Sequence, residues 1–118
     1  MGMNNTSTEK TDDTLRIPAG LRKGQKAADV ILAMLRMDDN LDTGGCRAFY
    51  SPAEWKRRGE EYGTKSLLVV VYDGGDLYHY FSYMSESHER RERMEKALDA
   101  AGFWVEPCTN WYSAVYAK

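Results

Sequence analysis

The fold of this 118-residue chain is decided by residues 67–83, which read LLVVVY at 67–72, DGGD at 73–76 and LYHYFSY at 77–83. The first run is apolar on both faces of a strand, which predicts a central strand covered on each side. Two glycines between two aspartates favour a tight turn, and the second run is rich in bulky residues. The sequence therefore predicts a β-hairpin at the centre of the fold.

Helical patterns lie on both sides of this hairpin. Residues 25–37 place apolar side chains at helical spacing. Residues 51–54, SPAE, combine an N-cap serine, a proline at the first helical position and the glutamate of a capping box. Gly63 is the expected C-terminal cap of that second helix. Residues 86–101 carry acid-before-base pairs at i,i+4 spacing and predict a third helix.

Residues 103–108 and 111–117 predict two further strands, with Pro107 marking a strand end or a sheet edge. The expected order is two N-terminal helices followed by ββαββ, which is an α+β fold with a mainly antiparallel four-stranded sheet. We expect the third helix on one face and the first two helices on the opposite face. Residues 15–118 are predicted to form one domain, and the polar residues 1–14 a disordered tail.

Composition limits the classes of function. The net charge of −2 disfavours a protein whose main task is to hold nucleic acid, because such domains usually carry a basic excess. The longest apolar runs are six residues, far below the roughly 20 needed for a membrane span. The N-terminus shows no apolar leader, so we expect a cytoplasmic protein whose two cysteines are reduced.

An enzymatic interpretation would pair Cys46 or Cys108 with His79 or His88 as thiol and imidazole. The spacing matches no known signature, and Cys108 falls within or at the end of a predicted strand, where a small buried side chain is the ordinary role. We therefore predict that the protein is not an enzyme.

The sequence also contains residues that could bind a metal ion. Asp73 and Asp76 flank the glycine pair and could offer oxygen ligands to a hard cation. Aspartate beside glycine is explained better by turn propensity, and the remaining acids of a calcium loop are missing. The cysteines and histidines show no zinc spacing, and no glycine-rich phosphate loop is present. We predict no metal and no cofactor.

The aromatic content is high, with eight Tyr, three Trp and three Phe. If strand alternation holds, one sheet face could carry Tyr78, Tyr80, Trp104, Tyr112 and Tyr116. Such a face could stack the bases of single-stranded nucleic acid, as in some RNA-binding domains. The acidic charge and the covering helices favour the other interpretation, in which these rings belong to the core or to a protein interface.

From residue 49 onward the chain resembles a group of small uncharacterised proteins from bacterial phages, plasmids and other mobile elements. The matching stretches are FYSPAEW at 49–55, GEEYGT at 59–64, DGGDL at 73–77 and VEPCTNWYSAVY at 105–116. The resemblance implies a role like that of anti-CRISPR and anti-restriction proteins, which bind a host complex.

These observations predict a non-enzymatic module that binds a host protein or complex, such as a CRISPR or restriction system, and inhibits or modulates it. A homodimer would use the same aromatic features, and the sequence does not separate the two. Single-stranded nucleic-acid binding through the aromatic face is the alternative.

Overall fold

A computed structural model describes residues 14–118, so the predicted tail lies outside the described residues except for Thr14. Within this part of the chain the fold is α+β, as predicted. Its elements are α1 (Lys23–Met37), β1 (Phe49–Tyr50), α2 (Pro52–Arg57), β2 (Leu68–Val71), α3 (Tyr78–Phe81), α4 (His88–Ala100), β3 (Phe103–Pro107) and β4 (Tyr112–Ala117).

The described strands form one antiparallel sheet in the order β1-β2-β4-β3. All four residues of β2 are buried, which confirms the prediction of a central strand covered on both faces. Within residues 14–118, no helix combines the length and the apolar character that crossing a membrane requires.

The predicted hairpin is wrong. β2 pairs with β1 and β4, and Tyr78–Phe81, which was expected to lie in a strand, is the short helix α3. Leu77, Tyr80 and Phe81 are buried, and this i, i+3, i+4 spacing is that of one helical face. The predicted order of two helices followed by ββαββ is therefore also wrong.

The glycine pair of 74–75 serves a close contact between two loops instead of a hairpin turn. Gly75 has φ +78°, and a side chain there would collide with the backbone of Asp42 and Thr43. The Asp76 amide donates to the Asp42 carbonyl at 2.6 Å, and the Asp42 amide donates to Asp76 Oδ2 at 3.0 Å. Only residues without a Cβ allow the two backbones to approach this closely.

The inner face of the sheet, which we define as the face toward α1, α3 and α4, holds the larger core. Its buried residues include Ile31 and Leu35 of α1, Val70 of β2, and Met94 and Leu98 of α4. The outer face carries a smaller core of Trp55, Val69, Val71 and Tyr112. The prediction that both N-terminal helices lie opposite the third helix is thus wrong, because α1 shares the inner face with α4 and only α2 lies opposite.

The start of α2 is formed as predicted. Ser51 Oγ accepts from the Glu54 amide at 3.1 Å, and the Ser51 amide donates to Glu54 Oε1 at 2.9 Å, which completes the capping box. The helix ends at Arg57, so Gly63 is not its cap. Gly63 lies on the outer face instead. Its φ is +86°, and a Cβ at this position would lie 3.3 Å from the Cβ of Ala114.

A salt bridge fixes α4 beside α1. Arg93 Nη1 lies 2.9 Å from Asp38 Oδ2, at the C-terminal end of α1. Hydrogen bonds from Arg93 and from Tyr80 hold the pKa of the Asp38 carboxyl below its ordinary value. One flank of α4 is therefore occupied by α1, and its other flank turns toward β3.

Candidate functional site

The five aromatic residues predicted as a binding face do not share one face. Tyr78 and Tyr80 lie on α3, not on the sheet. Tyr80 is buried, and its hydroxyl donates to Asp38 Oδ2 at 2.6 Å and accepts from Asn40 Nδ2 at 3.0 Å. These contacts make Tyr80 a link between α3 and the end of α1, while the half-buried Tyr78 packs against the inner core.

The other three residues do share the outer face, but they differ in burial. Tyr112 is buried against Trp55 of α2, with ring centroids 4.8 Å apart. Trp104 and Tyr116 are directly paired between β3 and β4, and their rings stack at 4.8 Å with an interplanar angle of 18°. The Trp104 side chain is 46% exposed. An aromatic pair of the exposed Trp104 and the half-buried Tyr116 therefore lies at the end of the outer face away from Trp55.

A carboxylate lies beside this pair. The Tyr116 hydroxyl donates to Glu106 Oε1 at 3.1 Å. Burial, and then the hydrogen bond to Glu106, raises the pKa of Tyr116 to about 12, so the phenol stays neutral. An acidic side chain thus lies at the edge of the aromatic pair.

β3 is an edge strand, since within residues 14–118 it has a strand partner on one side only. Two hydrogen bonds set the pattern of its backbone: the Lys118 amide donates to Gly102 at 2.9 Å, and the Cys108 amide donates to Tyr112 at 3.2 Å. Hydrogen-bonded pairs alternate along an antiparallel ladder, so the even-numbered residues of β3 also bond to β4. The N–H and C=O groups of Phe103 and Val105 therefore point away from the sheet.

The backbone nitrogen of Pro107, like those of Phe103 and Val105, points away from β4, so its missing N–H removes no hydrogen bond from the sheet. The sequence prediction that this proline marks a strand end or an edge is confirmed, because it is the last residue of an edge strand. The outward donors of β3 are then the amides of Phe103 and Val105.

A groove of about 460 Å³ runs between this edge and the free flank of α4. Its lining consists of Tyr83, Glu92, Glu95, Lys96, Asp99, Phe103, Trp104 and Val105. Three carboxylates face one ammonium group among these residues. Lys118 Nζ contacts Asp99 at 2.6 Å, and the Tyr83 hydroxyl donates to Glu95 at 3.2 Å. The lining therefore carries a formal negative charge, which Lys118 on Asp99 and the Arg91 guanidinium, 4.1 Å from the centroid of the Tyr83 ring, partly offset.

Arginine side chains surround α2 on the outer face, and Lys23, Lys26 and Lys118 line a depression beside Phe103. Arg47 Nη2 contacts both carboxylate oxygens of Glu54, at 2.7 and 2.9 Å. The Arg47 guanidinium also lies over the Tyr50 ring at 4.2 Å, and that of Arg58 over the Trp55 ring at 4.6 Å. These arginines are thus engaged in covering the outer core.

The cysteines and histidines form no thiol–imidazole pair within the part of the chain that the structure describes. Among residues 14–118, neither Cys46 nor Cys108 hydrogen-bonds a histidine, and Cys108 Sγ instead contacts the Glu106 carbonyl at 3.5 Å. Burial and the nearby Glu106 raise the pKa of Cys108 to about 11, which keeps the thiol protonated and weakly nucleophilic. His79 Nδ1 lies 2.9 Å from Ser85 Oγ.

The residues considered as metal ligands do not converge. Within residues 14–118, no three His, Cys, Asp or Glu side chains lie close enough to hold a metal ion together. Asp76 accepts from the Asp42 amide, and Asp42 accepts from the Gly44 amide at 2.8 Å, so both carboxylates serve the loop contact.

Sequence reasoning missed the acidic side of this site. Glu92, Glu95 and Asp99 are spaced by three and four residues, so they lie along one flank of α4. That spacing was visible, but nothing in it indicated that β3 would lie alongside.

The chain was compared with protein-family models, curated proteins and solved structures, and none of them matches it.

Proposed function

We propose that this protein is a non-enzymatic binding module that attaches to a protein partner at the β3 edge of its sheet. The observation that carries the proposal is the exposed Trp104, stacked on Tyr116 beside an unpaired strand edge. Tryptophan and tyrosine are enriched at protein interfaces and often provide most of the binding energy. A stacked pair is also preorganised, so little side-chain entropy is lost when a partner covers it.

Charge favours a protein partner over nucleic acid. Single strands bind where stacking aromatics are combined with a positively charged path for the phosphates. Here Glu106 accepts from Tyr116, and Glu92 and Glu95 line the adjoining groove. Carboxylates at these positions would repel a phosphate backbone. Stacking on Trp104 still makes single-stranded nucleic acid the second candidate.

The resemblance to mobile-element proteins supports a more specific form of the proposal. In that form the module acts in the bacterial cytoplasm, where it occupies a surface of a host complex such as a CRISPR or restriction system and inhibits or modulates it. Binding alone accounts for such an effect when the occupied surface is one that the host complex needs.

Quantitative capture tests the proposal. Wild-type protein, Trp104→Ser and the matched control Met37→Ser are coupled to beads and incubated with bacterial lysate, and bound proteins are measured by mass spectrometry. Met37 is 71% exposed at the end of α1, which makes it a large apolar side chain away from β3. We expect partners that bind wild type and Met37→Ser and fall about tenfold or more with Trp104→Ser.

Two outcomes would contradict the proposal. In the first, Trp104→Ser captures the same proteins in the same amounts as wild type. In the second, a fluorescent oligothymidine binds at low salt in a manner that requires Trp104, and no protein is captured. The second outcome would establish the nucleic-acid alternative.

A further inference from the structure

The outward backbone of β3 and the acidic groove beside it indicate which chemistry the partner presents. Resting on the proposed function, we infer that β3 accepts an extended basic segment of the partner as an added strand, with alternate lysine or arginine side chains entering the groove along α4. Addition of a strand to an exposed sheet edge is a recurrent mode of peptide recognition. Main-chain hydrogen bonds provide affinity in this mode, and alternate side chains provide specificity.

The free edge of β3 presents backbone groups that a further strand can bind. Phe103 and Val105 each direct one N–H and one C=O away from β4, which gives four unpaired groups in the plane of the sheet. Pro107 ends the series of donors. A strand added here would be anchored over about three residues, and its side chains would alternate between the two faces.

The groove beside β3 determines which side chains of an added strand would fit. Side chains of an added strand that point to the inner face would enter the space along α4, and those pointing outward would meet Trp104. Glu92 and Asp99 are seven residues apart, or about 10 Å along the helix. Alternate side chains of a strand are about 6.7 Å apart, so two basic groups fit along this row of acids, the one nearer Asp99 in competition with Lys118.

A second copy of this chain is a poorer occupant. Pairing β3 with β3 of another copy would bring the two acidic flanks of α4 together, and like charges in such contact are unfavourable. The chain's own residues 1–13, MGMNNTSTEKTDD, contain one lysine and three acids, so they lack the required charge. A basic segment of another protein fits the groove better than either.

Fluorescence anisotropy with a defined probe tests the inference. The probe is an acetylated and amidated heptapeptide of alternating lysine and valine, compared with a block peptide of the same composition. Val105→Pro removes an outward amide and fills the edge with a ring, and Val105→Ala is its control. Glu92→Lys combined with Glu95→Lys reverses the charge of the groove, and Asp29→Lys on the exposed side of α1 is the matched control.

We expect Val105→Pro to weaken binding of the alternating peptide about tenfold, with a smaller change for Val105→Ala. The charge-reversed variant should lose about tenfold or more at low salt and lose most of its salt dependence. Asp29→Lys should stay within about twofold of wild type. Circular dichroism and thermal unfolding of each variant confirm that the fold is retained.

Equal binding of both peptides, or full binding by Val105→Pro, would overturn strand addition. Sedimentation that shows a dimer dissociated by Val105→Pro would assign the edge to a second copy. The two proposals fail separately: if capture depends on Trp104 but tolerates Val105→Pro and the charge reversals, the binding module stands and strand addition is wrong.

Discussion

The direction of the β3 amides can be tested without any partner, by proline substitution at two adjacent positions. The ladder directs the Glu106 amide toward Ala114 of β4 and the Val105 amide away from the sheet. Proline at position 106 therefore removes a ladder hydrogen bond, and proline at position 105 removes none. Since proline also deletes the native side chain, each variant is compared with alanine at the same position.

The expected difference follows from burial. Ala114 is fully buried, so its carbonyl would be left without a partner in the Glu106→Pro variant. A buried acceptor that loses its donor costs about 1–3 kcal/mol, and the crowding of the ring against β4 adds to this. We expect Glu106→Pro to be about 2–4 kcal/mol less stable than Glu106→Ala. Val105→Pro should differ from Val105→Ala by less than about 1 kcal/mol, because edge positions tolerate proline.

Urea unfolding of the four variants, followed by far-ultraviolet circular dichroism, provides the free energies of unfolding. The slopes with denaturant should agree among the variants, so that midpoints report stability alone. An equal loss of stability on proline substitution at the two positions, or a larger loss at Val105, would show that the hydrogen-bonding pattern assigned to β3 is wrong. The amides assigned to the free edge would then be those bonded to β4, and strand addition at Phe103 and Val105 would lose its basis.

Three further outcomes test the core, a loop contact and a salt bridge. Trp55→Ala should destabilise the fold by about 3–5 kcal/mol in urea unfolding, because the indole is fully buried in the outer core; a loss below about 1 kcal/mol would contradict that packing. Gly75→Ala should cost more than about 2 kcal/mol by the same measurement, because a Cβ would collide with the Asp42 carbonyl and φ is positive. The lowered pKa of Asp38 beside Arg93 implies that the ionised carboxylate stabilises the fold at neutral pH and that this stabilisation is lost as the pH falls below about 4. The free energies of unfolding of wild type and Asp38→Asn should therefore differ at pH 7 and converge in acid.

The elements that sequence reasoning predicted well are those with local signals. The capping box at Ser51 and Glu54 fixed the start of α2, because its hydrogen bonds join residues only three apart. The helical spacing over 25–37 located α1, and the turn between two strand-like runs located β3 and β4. Each of these depends on neighbours in the sequence, where periodicity and turn chemistry are informative.

The errors arose where tertiary contacts decide. Over four residues, YHYF at Tyr78–Phe81 fits strand alternation as well as one turn of helix. Its packing against α4 and its burial in the inner core are consistent with the helix. The glycine pair has a turn-like sequence, but its function is the contact with the loop at Asp42. β1 has only two residues and exists because it pairs with β2. No local pattern specifies such contacts.

For the candidate site, alternation placed Trp104, Tyr112 and Tyr116 on a common face, but it could not show which of them a helix would cover. That depends on α2, whose Trp55 buries Tyr112 and leaves the β3 end of the face open. Strand order is likewise a property of the whole sheet, so the free edge of β3 was not predictable from its own residues.

The acids along α4 give the open edge a selectivity that the edge alone would lack. An unpaired strand beside an exposed tryptophan is a template for association with copies of the same chain, and proteins commonly limit this with proline and charge. Pro107 shortens the available edge, and Glu92, Glu95 and Asp99 would oppose another acidic copy. The same carboxylates would attract a basic strand, so one row of side chains disfavours self-association and selects the partner. Neutralising Glu92 and Glu95 with glutamine should therefore weaken basic-peptide binding and increase self-association together, and a separation of these two effects would show that the acids serve only one of them.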